Sequence, residues 1–191
     1  MAIFTDPIKD HADFGPGDAE WLHLLVGDWQ LLSDLSFADL VMWVNSVHDD
    51  EWVAVAHCRP STGATVYYDD VVGRTQPRGR RLLLDRARDL GTICKERDPE
   101  WHDDIPVREE TVPVVRNGRV LAVVARHTNL AAARTPSRLE LTYLQCADEL
   151  ARMGAHGEFP VAGAPTGARR GAPRVGDGLL LLDVEGSVIY A

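Results

Sequence analysis

The chain has 191 residues, a net charge of −9, and 45% hydrophobic and 26% charged residues. This length and balance predict one packed globular domain of about 150 residues followed by a remnant. The negative charge would repel a phosphate backbone, so we expect no direct nucleic-acid binding. No run reaches the roughly 18 apolar residues of a membrane helix, and the first ten residues lack the features of a signal peptide. We therefore expect a cytoplasmic protein without a membrane segment.

The first predicted elements are a helix and a hairpin. Residues 18–36 have apolar side chains at three- and four-residue spacing, which predicts an amphipathic helix with Asp18 as its N-cap. Residues 38–46 and 51–58 are short runs rich in β-branched and aromatic residues, with a polar stretch between them. They predict an antiparallel hairpin.

The middle of the chain gives weaker patterns. Residues 65–68 form a short apolar run after a loop, which predicts a third strand. Residues 78–90 have leucines at helical spacing and are followed by Gly91, where a helix commonly stops. Residues 92–106 contain two prolines and predict an exposed, irregular segment.

The third part of the chain predicts a hairpin and a long helix. Asn117-Gly118 separates two apolar runs and favours the positive φ angles of a type I′ turn. Thr135 before Pro136 predicts the start of a helix over residues 136–153. One face of that helix is predicted to carry Leu139, Tyr143, Cys146, Ala147 and Leu150.

The sequence predicts four segments. Residues 1–17 are a lead-in, residues 18–154 the main domain, and residues 155–176 a linker rich in Gly, Ala, Pro and Arg. Residues 177–191 give two short strands around Glu185-Gly186. An isolated hairpin is marginal in water, so we expect these residues to be the truncated start of a second domain.

The order of these elements resembles a GAF domain. Four stretches carry a more specific resemblance, to the N-terminal half of PdtaS-type sensor histidine kinases: WQLLSDLSFADLVMWV, HCRPSTGATVY, ARHTNLAAARTPSRLELTY and GDGLLLLDVEGSVIYA. The resemblance implies a fold that mixes helices and strands (α/β, more specifically α+β). In this fold, the N- and C-terminal helices pack behind a GAF-like antiparallel sheet. It also implies that residues 177–191 begin a PAS domain.

The same resemblance implies the functional context. A histidine kinase region, which uses ATP and Mg, would follow this chain, and its partner would be a response regulator with an RNA-binding output. Kinases of this type work as homodimers, so the helices over residues 18–36 and 136–153 are expected to pair with a second copy. The Asn-Lys-Phe-Asp-Glu motif of cyclic-nucleotide-binding GAF domains is absent, which argues against that mode of binding.

A ligand pocket is expected beneath the loops of the GAF-like domain. Trp43, His57, Arg59, Tyr67 and Arg126 are the predicted ligand-binding residues, because ligand pockets combine apolar walls with a few placed polar groups. An arginine beside an aromatic ring is suited to an anionic ligand or a nucleobase. The alternative is that Trp43 and Tyr67 belong to the core and the arginines are solvated.

A metal or thiol site is the other alternative. The potential ligands are His57, Cys58, Cys94, His102 and His127. His57 and Cys58 are neighbours on a predicted strand, so their side chains should point to opposite faces of the sheet. The three cysteines, an odd number without close pairing, are expected to be reduced and buried. We assign no metal ligand and no cofactor from the sequence.

The basic segment over residues 74–89 also has two interpretations. Its six arginines could contact phosphate or an acidic partner. They could instead form the solvated face of a helix, with local ion pairs from Arg81 to Asp85 and from Arg86 to Asp89.

The sequence therefore predicts a non-catalytic sensory input region, with no catalytic residues in this chain. A small-molecule signal would act through the helix over residues 136–153 on the PAS and kinase domains. The competing hypotheses are a ligand-free dimerisation platform and a metal or thiol redox sensor.

Overall fold

The computed structural model describes residues 13–46, 49–96, 98–132, 134–161, 174–177 and 180–190. Within these residues the centre of the fold is a seven-stranded antiparallel sheet. Its strands are β1 (Asp39–Asn45), β2 (Glu51–Cys58), β3 (Thr75–Pro77), β4 (Cys94–Lys95), β5 (Glu100–His102), β6 (Ile105–Arg116) and β7 (Arg119–Asn129). The strand order is β3-β2-β1-β7-β6-β4, and β5 also pairs with β6.

Two hairpins form the middle of the sheet, and both were predicted. β1 pairs with β2, and β6 pairs with β7 around a turn in which Asn117 has a φ of 51° and Gly118 a φ of 74°. A type I′ turn requires positive φ at both central residues, and its twist matches that of the flanking strands. β1 and β7 then pair with each other and join the two hairpins.

Four helices cover the two faces of the sheet in the described part of the chain: α1 (Asp18–Gly27), α2 (Trp29–Ser36), α3 (Leu82–Leu90) and α4 (Arg138–His156). α1, α2 and α4 cover one face, called here the helix face, in a core that includes Leu22, Trp29 and Ala147. α3 covers the opposite face, called here the loop face, where Leu84 and Ala87 pack with Trp43 and Trp52. This arrangement confirms the predicted α+β GAF-like fold.

The N-terminal helix differs from its prediction. It is two helices, which meet at Asp28, and the first has Gly17 as its N-cap with a φ of 80°. Asp18 is the first residue of α1 and not the cap. Its carboxylate accepts hydrogen bonds from the backbone N–H of Gly15 and from Arg116 and Arg119, so these partners occupy the group that would otherwise cap the helix.

The predicted third strand is wrong. Residues 65–68 form a loop, because the Asp39 carboxylate accepts hydrogen bonds from the Thr65 hydroxyl at 2.6 Å and the Val66 N–H at 2.7 Å. The third strand is instead Thr75–Pro77. Residues 92–106 are also more ordered than predicted, since β4 and β5 within them extend the sheet along the edge of β6. α3 and its end at Gly91 agree with the prediction.

The long C-terminal helix begins later than predicted, at Arg138. Ser137 is its N-cap and forms a capping box with Glu140, so Thr135 and Pro136 lie before the helix. Cys146 and Ala147 are buried as predicted, whereas Leu139 is 47% exposed because it lies in the first turn.

The final described residues form a small hairpin of β8 (Leu181–Leu182) and β9 (Val188–Tyr190), as predicted. Before it, a short 3-10 helix (Val175–Asp177) lies near α4, where the Tyr143 hydroxyl donates to the Val175 carbonyl at 3.1 Å. Residues 162–173 of the predicted linker lie outside the described residues, and the four predicted segments stay a prediction. No described helix is both long enough and apolar enough to span a membrane.

Candidate functional site

Tyr67 lies at the centre of a polar cluster on the loop face. Its ring makes edge contacts with His57, His102 and His127, at centroid distances of 5.7, 4.9 and 5.1 Å. Arg81 and Glu109 complete the group, which we call the Tyr67 cluster. Six side chains therefore meet at one place: they come from the loop before β3, from the residue that precedes α3, and from β2, β5, β6 and β7.

The sheet register places the histidines. Asp39 of β1 lies opposite His127 of β7, and Val41 lies opposite His57 of β2, so these side chains share the loop face. His57 is held between two carboxylates, with Nε2 3.5 Å from Asp39 Oδ1 and Nδ1 3.5 Å from Asp70 Oδ1. The buried Asp39 carboxylate thus positions both His57 and the loop that carries Tyr67.

Arg81 is the cation of the cluster. Its Nη2 donates to Glu109 Oε1 at 2.5 Å and lies 3.4 Å from His127 Nε2, and its guanidinium lies over the Trp43 ring at 5.4 Å. Burial acts to lower the pKa of Arg81, but the Glu109 carboxylate outweighs it and the pKa is raised. Arg81 therefore remains a cation inside the domain.

His127 is neutral and has one nitrogen without a partner. Burial, assisted by the charge of Arg81, lowers its pKa to about 3. Because Arg81 can only donate, the contact at Nε2 favours the tautomer in which Nδ1 carries the proton. That Nδ1 is buried without a hydrogen-bond partner among the described residues, as is Nε1 of Trp43. Unpaired buried polar atoms are uncommon in folded proteins and call for an explanation such as a ligand or water.

A cavity of about 60 Å³ adjoins the cluster and is lined by Tyr67, Arg81, His102, Glu109 and His127, among others. Burial raises the pKa of Tyr67 to about 12, so its hydroxyl stays protonated and can donate to a ligand. The exposed Trp101 also lines this cavity. The volume suits a few water molecules or a small polar molecule, and a larger ligand requires β5 to move away.

The structure separates the five predicted ligand residues. Trp43, His57 and Tyr67 lie together on the loop face, although Trp43 also belongs to the core there. Arg59 does not contribute a charge to the cavity, because its guanidinium donates to the carbonyls of Tyr67 and Tyr68 and so braces the loop.

Arg126 lies on the helix face, away from the other predicted ligand residues. It pairs in register with Leu40, whose side chain lies in the core of the helix face, and its Nη2 donates to Asp148 of α4 at 2.6 Å. Alternation along β7 puts neighbouring side chains on opposite faces, so Arg126 and His127 cannot share a pocket.

Four members of the cluster were not predicted as ligand-binding residues: Arg81, His102, Glu109 and His127, of which the two histidines were named only as potential metal ligands. Residue spacing predicted that Arg81 would pair with Asp85, but Asp85 accepts from Arg78 at 3.0 Å and from the Trp52 N–H at 3.0 Å. Asp89 likewise lies 3.6 Å from Arg78 and is not paired with Arg86. The register of the predicted β6–β7 hairpin, which opposes Glu109 and His127, was the signal that could have found two of these four.

The cysteines are free and buried, as predicted. Burial raises the pKa of Cys58 to about 11, which keeps it a thiol at neutral pH and makes it a poor nucleophile. His57 and Cys58 do lie on opposite faces, since Cys58 packs in the core of the helix face. Within the described ranges, no group of three or more His, Cys, Asp or Glu side chains is arranged to hold a metal ion.

Comparison with known proteins places these features in a family. The model of the GAF domain of histidine kinase PdtaS matches residues 4–147. Sensor histidine kinase PdtaS of Mycobacterium tuberculosis (strain ATCC 25618 / H37Rv) is 40% identical over 197 residues, covering 100% of this chain and 38% of that protein. The Mycolicibacterium smegmatis protein of the same name is 38% identical over 194 residues, with the same two coverages.

A solved structure agrees with the sequence match. The sensor region of a sensor histidine kinase superimposes with a TM-score of 0.80 at 39% identity, over 100% of this chain and 64% of that chain. The present chain spans 38% of the length of the curated relatives above. It therefore belongs to the family of PdtaS GAF domains and corresponds to the sensor region of these two-component histidine kinases.

Proposed function

We propose that this chain senses a small molecule at the Tyr67 cluster and passes the signal through α4 to domains that follow it in the whole protein. The carrying observation is that His127, whose Nδ1 is buried and unpaired among the described residues, lines the 60 Å³ cavity together with the Arg81–Glu109 ion pair. A polar ligand that accepts from His127 would satisfy a group that otherwise lacks a partner in the described structure.

The chemistry of the cavity narrows the ligand class. Neutral donors from His127 and Tyr67 favour a ligand with a carbonyl or hydroxyl oxygen, and the aromatic rings of His102 and Trp101 favour a flat or apolar body. The cation of Arg81 is already neutralised by Glu109, so a net charge on the ligand is not required. We therefore propose a small, neutral, polar molecule.

Transmission relies on the packing of α4. Its buried face, with Cys146 and Ala147, lies in the same core as α2 and the helix face of the sheet. A ligand that shifts β6 or β7 on the loop face changes the surface on which α4 rests, because both strands are shared by the two faces. The output is a conformational shift and not a chemical step in this chain.

For the whole protein we propose the histidine kinase activity of its relatives, in which autophosphorylation is followed by transfer to a response regulator with an RNA-binding output. The support is the 40% identity over the full length of this chain to sensor histidine kinase PdtaS. We also propose that the chain forms a homodimer through α4, where Leu139 and Leu141 expose apolar side chains to solvent. Sedimentation of the purified chain as a monomer at working concentrations would contradict the dimer.

The sensing proposal is tested by a thermal-shift screen of the purified chain against small polar molecules, nucleotides and cyclic dinucleotides. A compound that binds only the folded state raises the melting temperature by mass action. Each hit is repeated with His102→Gln, which alters the partly exposed side of the cavity, and with His156→Gln, an exposed control at the end of α4.

The expected result is a stabilising compound whose effect is lost in His102→Gln and retained in His156→Gln. If every stabilising compound acts equally on His102→Gln, the ligand site is elsewhere. If none of the compounds raises the melting temperature of the native chain, the ligand-free dimerisation platform replaces the sensor.

A further inference from the structure

A second cleft lies on the helix face, away from the Tyr67 cluster. Its volume is about 710 Å³, and it lies between the first turns of α4, the loop at residues 62–64, and the ends of β6 and β7. Phe37 and Leu144 contribute apolar walls, and Arg108, Arg126 and Thr128 contribute polar groups. Ligand pockets of small molecules typically measure about 300 to 1,000 Å³, so the cleft has the size of such a site.

Arg126 lies in this cleft with only half of its guanidinium engaged. Its side chain is 12% exposed, and its Nη2 contacts both Glu110 and, at 2.6 Å, Asp148 of α4. Its Nη1 is buried and has no acceptor among the described residues. A buried charged donor without an acceptor is costly, and an anionic oxygen is the partner that a guanidinium binds most strongly.

Two further donors lie beside Arg126 on the same face. Arg108 is two residues before Glu110 on β6, and Glu110 pairs with Arg126, so Arg108 and Arg126 are diagonal neighbours across the hairpin. Thr128 pairs directly with Arg108. Arg108 is exposed and has no carboxylate partner in the described part of the chain, whereas Lys95 is paired with Glu110 and Arg134 with Glu140.

We propose that this cleft is a second ligand site, which binds a small organic anion through Arg126 Nη1, Arg108 and the Thr128 hydroxyl. The anion is a carboxylate or phosphate attached to an apolar body, because Phe37 and Leu144 line the same cleft. The site is distinct from the Tyr67 cluster, since the two lie on opposite faces of the sheet.

Binding at this site acts directly on α4. Asp148 of α4 is 44% exposed and contacts the same guanidinium that the anion would occupy. The anion at Nη1 and Asp148 at Nη2 carry like charges on one guanidinium, so they repel each other and binding weakens the tie between β7 and α4. The cleft thus combines an anion site with a contact to the helix that leaves the domain.

The test uses isotope-labelled chain and three probes of similar shape: phenylacetate, phenyl phosphate and the neutral phenylacetamide. The expected result is that both anions, but not the amide, shift the amide resonances of residues 62–64, 126–130 and 144–148. If only phenylacetate shifts these resonances, the site is assigned to carboxylates; if only phenyl phosphate does, it is assigned to phosphates. If phenylacetamide shifts these resonances as strongly as the two anions do, the cleft binds the apolar ring and not the charge, and the proposal is wrong.

Three variants sharpen the result. Arg108→Gln changes an exposed side chain and is expected to weaken binding of the anions. Asp148→Asn removes a neighbouring negative charge and is expected to tighten binding of the anions by about two- to fivefold, the value of a partly exposed ion pair. Glu149→Gln, the adjacent α4 residue paired with Arg152, is the matched control and is expected to leave the affinity unchanged. Equal affinities in the native chain, Arg108→Gln and Asp148→Asn would overturn the proposal.

Discussion

Glu109 and Glu110 are adjacent on β6, yet their carboxylates bind different arginines on opposite faces of the sheet. Glu109 accepts from Arg81 on the loop face, and Glu110 contacts Arg126 on the helix face. Both carboxylates are nearly inaccessible, with side-chain exposures of 6% and 7%. The two ion pairs therefore stabilise both faces of the sheet at the same position, where β6 pairs with β7.

The first prediction concerns the Arg81–Glu109 ion pair on the loop face. Arg81→Met leaves the Glu109 carboxylate buried without its partner and is expected to lower the free energy of unfolding by about 2–3 kcal/mol, which is less than the roughly 3–5 kcal/mol of a fully buried pair because Arg81 is 23% exposed. Urea denaturation measures the change. The double variant Arg81→Met/Glu109→Gln removes the unpaired charge and is expected to recover most of the loss. If the single and double variants lose the same free energy of unfolding, the unpaired charge of Glu109 is not the cause of the loss.

The second prediction concerns pH. The pKa of His127 falls from its ordinary value of 6.5 to about 3 in the folded protein, so the unfolded chain binds more protons between these values. Its contribution to stability is complete above pH 6.5 and is lost progressively as the pH falls toward 3. Over about pH 5 to 6.5, the slope contributed by this group approaches about 1.4 kcal/mol per pH unit.

The pH prediction is checked by measuring the free energy of unfolding against pH for the native chain and for His127→Gln. The variant is expected to show a shallower slope in this window, because one proton-binding group of the unfolded state is gone. His156→Gln, which changes an exposed histidine at the end of α4, serves as the control for loss of a titrating group. A native slope unchanged in His127→Gln would mean that the imidazole is accessible to protons.

The third prediction concerns the start of α1. Asp18 is 6% exposed and accepts from Arg116 at 2.5 Å and from Arg119 at 2.9 Å. Asp18→Asn weakens these charge-assisted hydrogen bonds and is expected to cost about 1.5–3 kcal/mol of stability. The melting temperature should fall accordingly. Glu20→Gln, an exposed change in the same turn, is expected to leave it unchanged; an equal fall in both would point to helix charge in general.

The fourth prediction concerns the thiols. Cys58, Cys94 and Cys146 are buried, and burial raises the pKa of Cys58 to about 11. A thiol reagent such as Ellman's reagent is therefore expected to label the native chain slowly and to label all three cysteines rapidly in urea. Fast labelling of one cysteine in the native chain, lost in Cys58→Ala, would revive the redox-sensor hypothesis.

Local patterns predicted the elements that local interactions determine. The Asn117-Gly118 turn, the β1–β2 hairpin and the end of α3 at Gly91 each depend on neighbouring residues, and each was correct. The strand at residues 65–68 was wrong for a non-local reason: the carboxylate of Asp39, 26 residues away from Thr65, holds that segment as a loop. A single sequence carries no signal for such a bond.

The candidate site followed the same rule. The structure places His57 beside Tyr67 on the loop face, in agreement with the strand alternation that puts His57 opposite to Cys58. The same alternation applied to β7 separates Arg126 from His127, but the prediction grouped residues by chemical type and so joined two faces in one pocket. Arg81 could not be found in this way, since the carboxylate that orients it is 28 residues away.

The glycine at the end of α4 lies where any side chain would be strained. Gly157 has a φ of 76°, and a Cβ built there would approach the Val115 carbonyl oxygen to 3.1 Å. Arg116, the next residue of β6, lies against Gly17 and holds the first turn of α1. The end of β6 therefore contacts both the start of α1 and the end of α4, so a displacement of either helix end strains a strand that the other also touches.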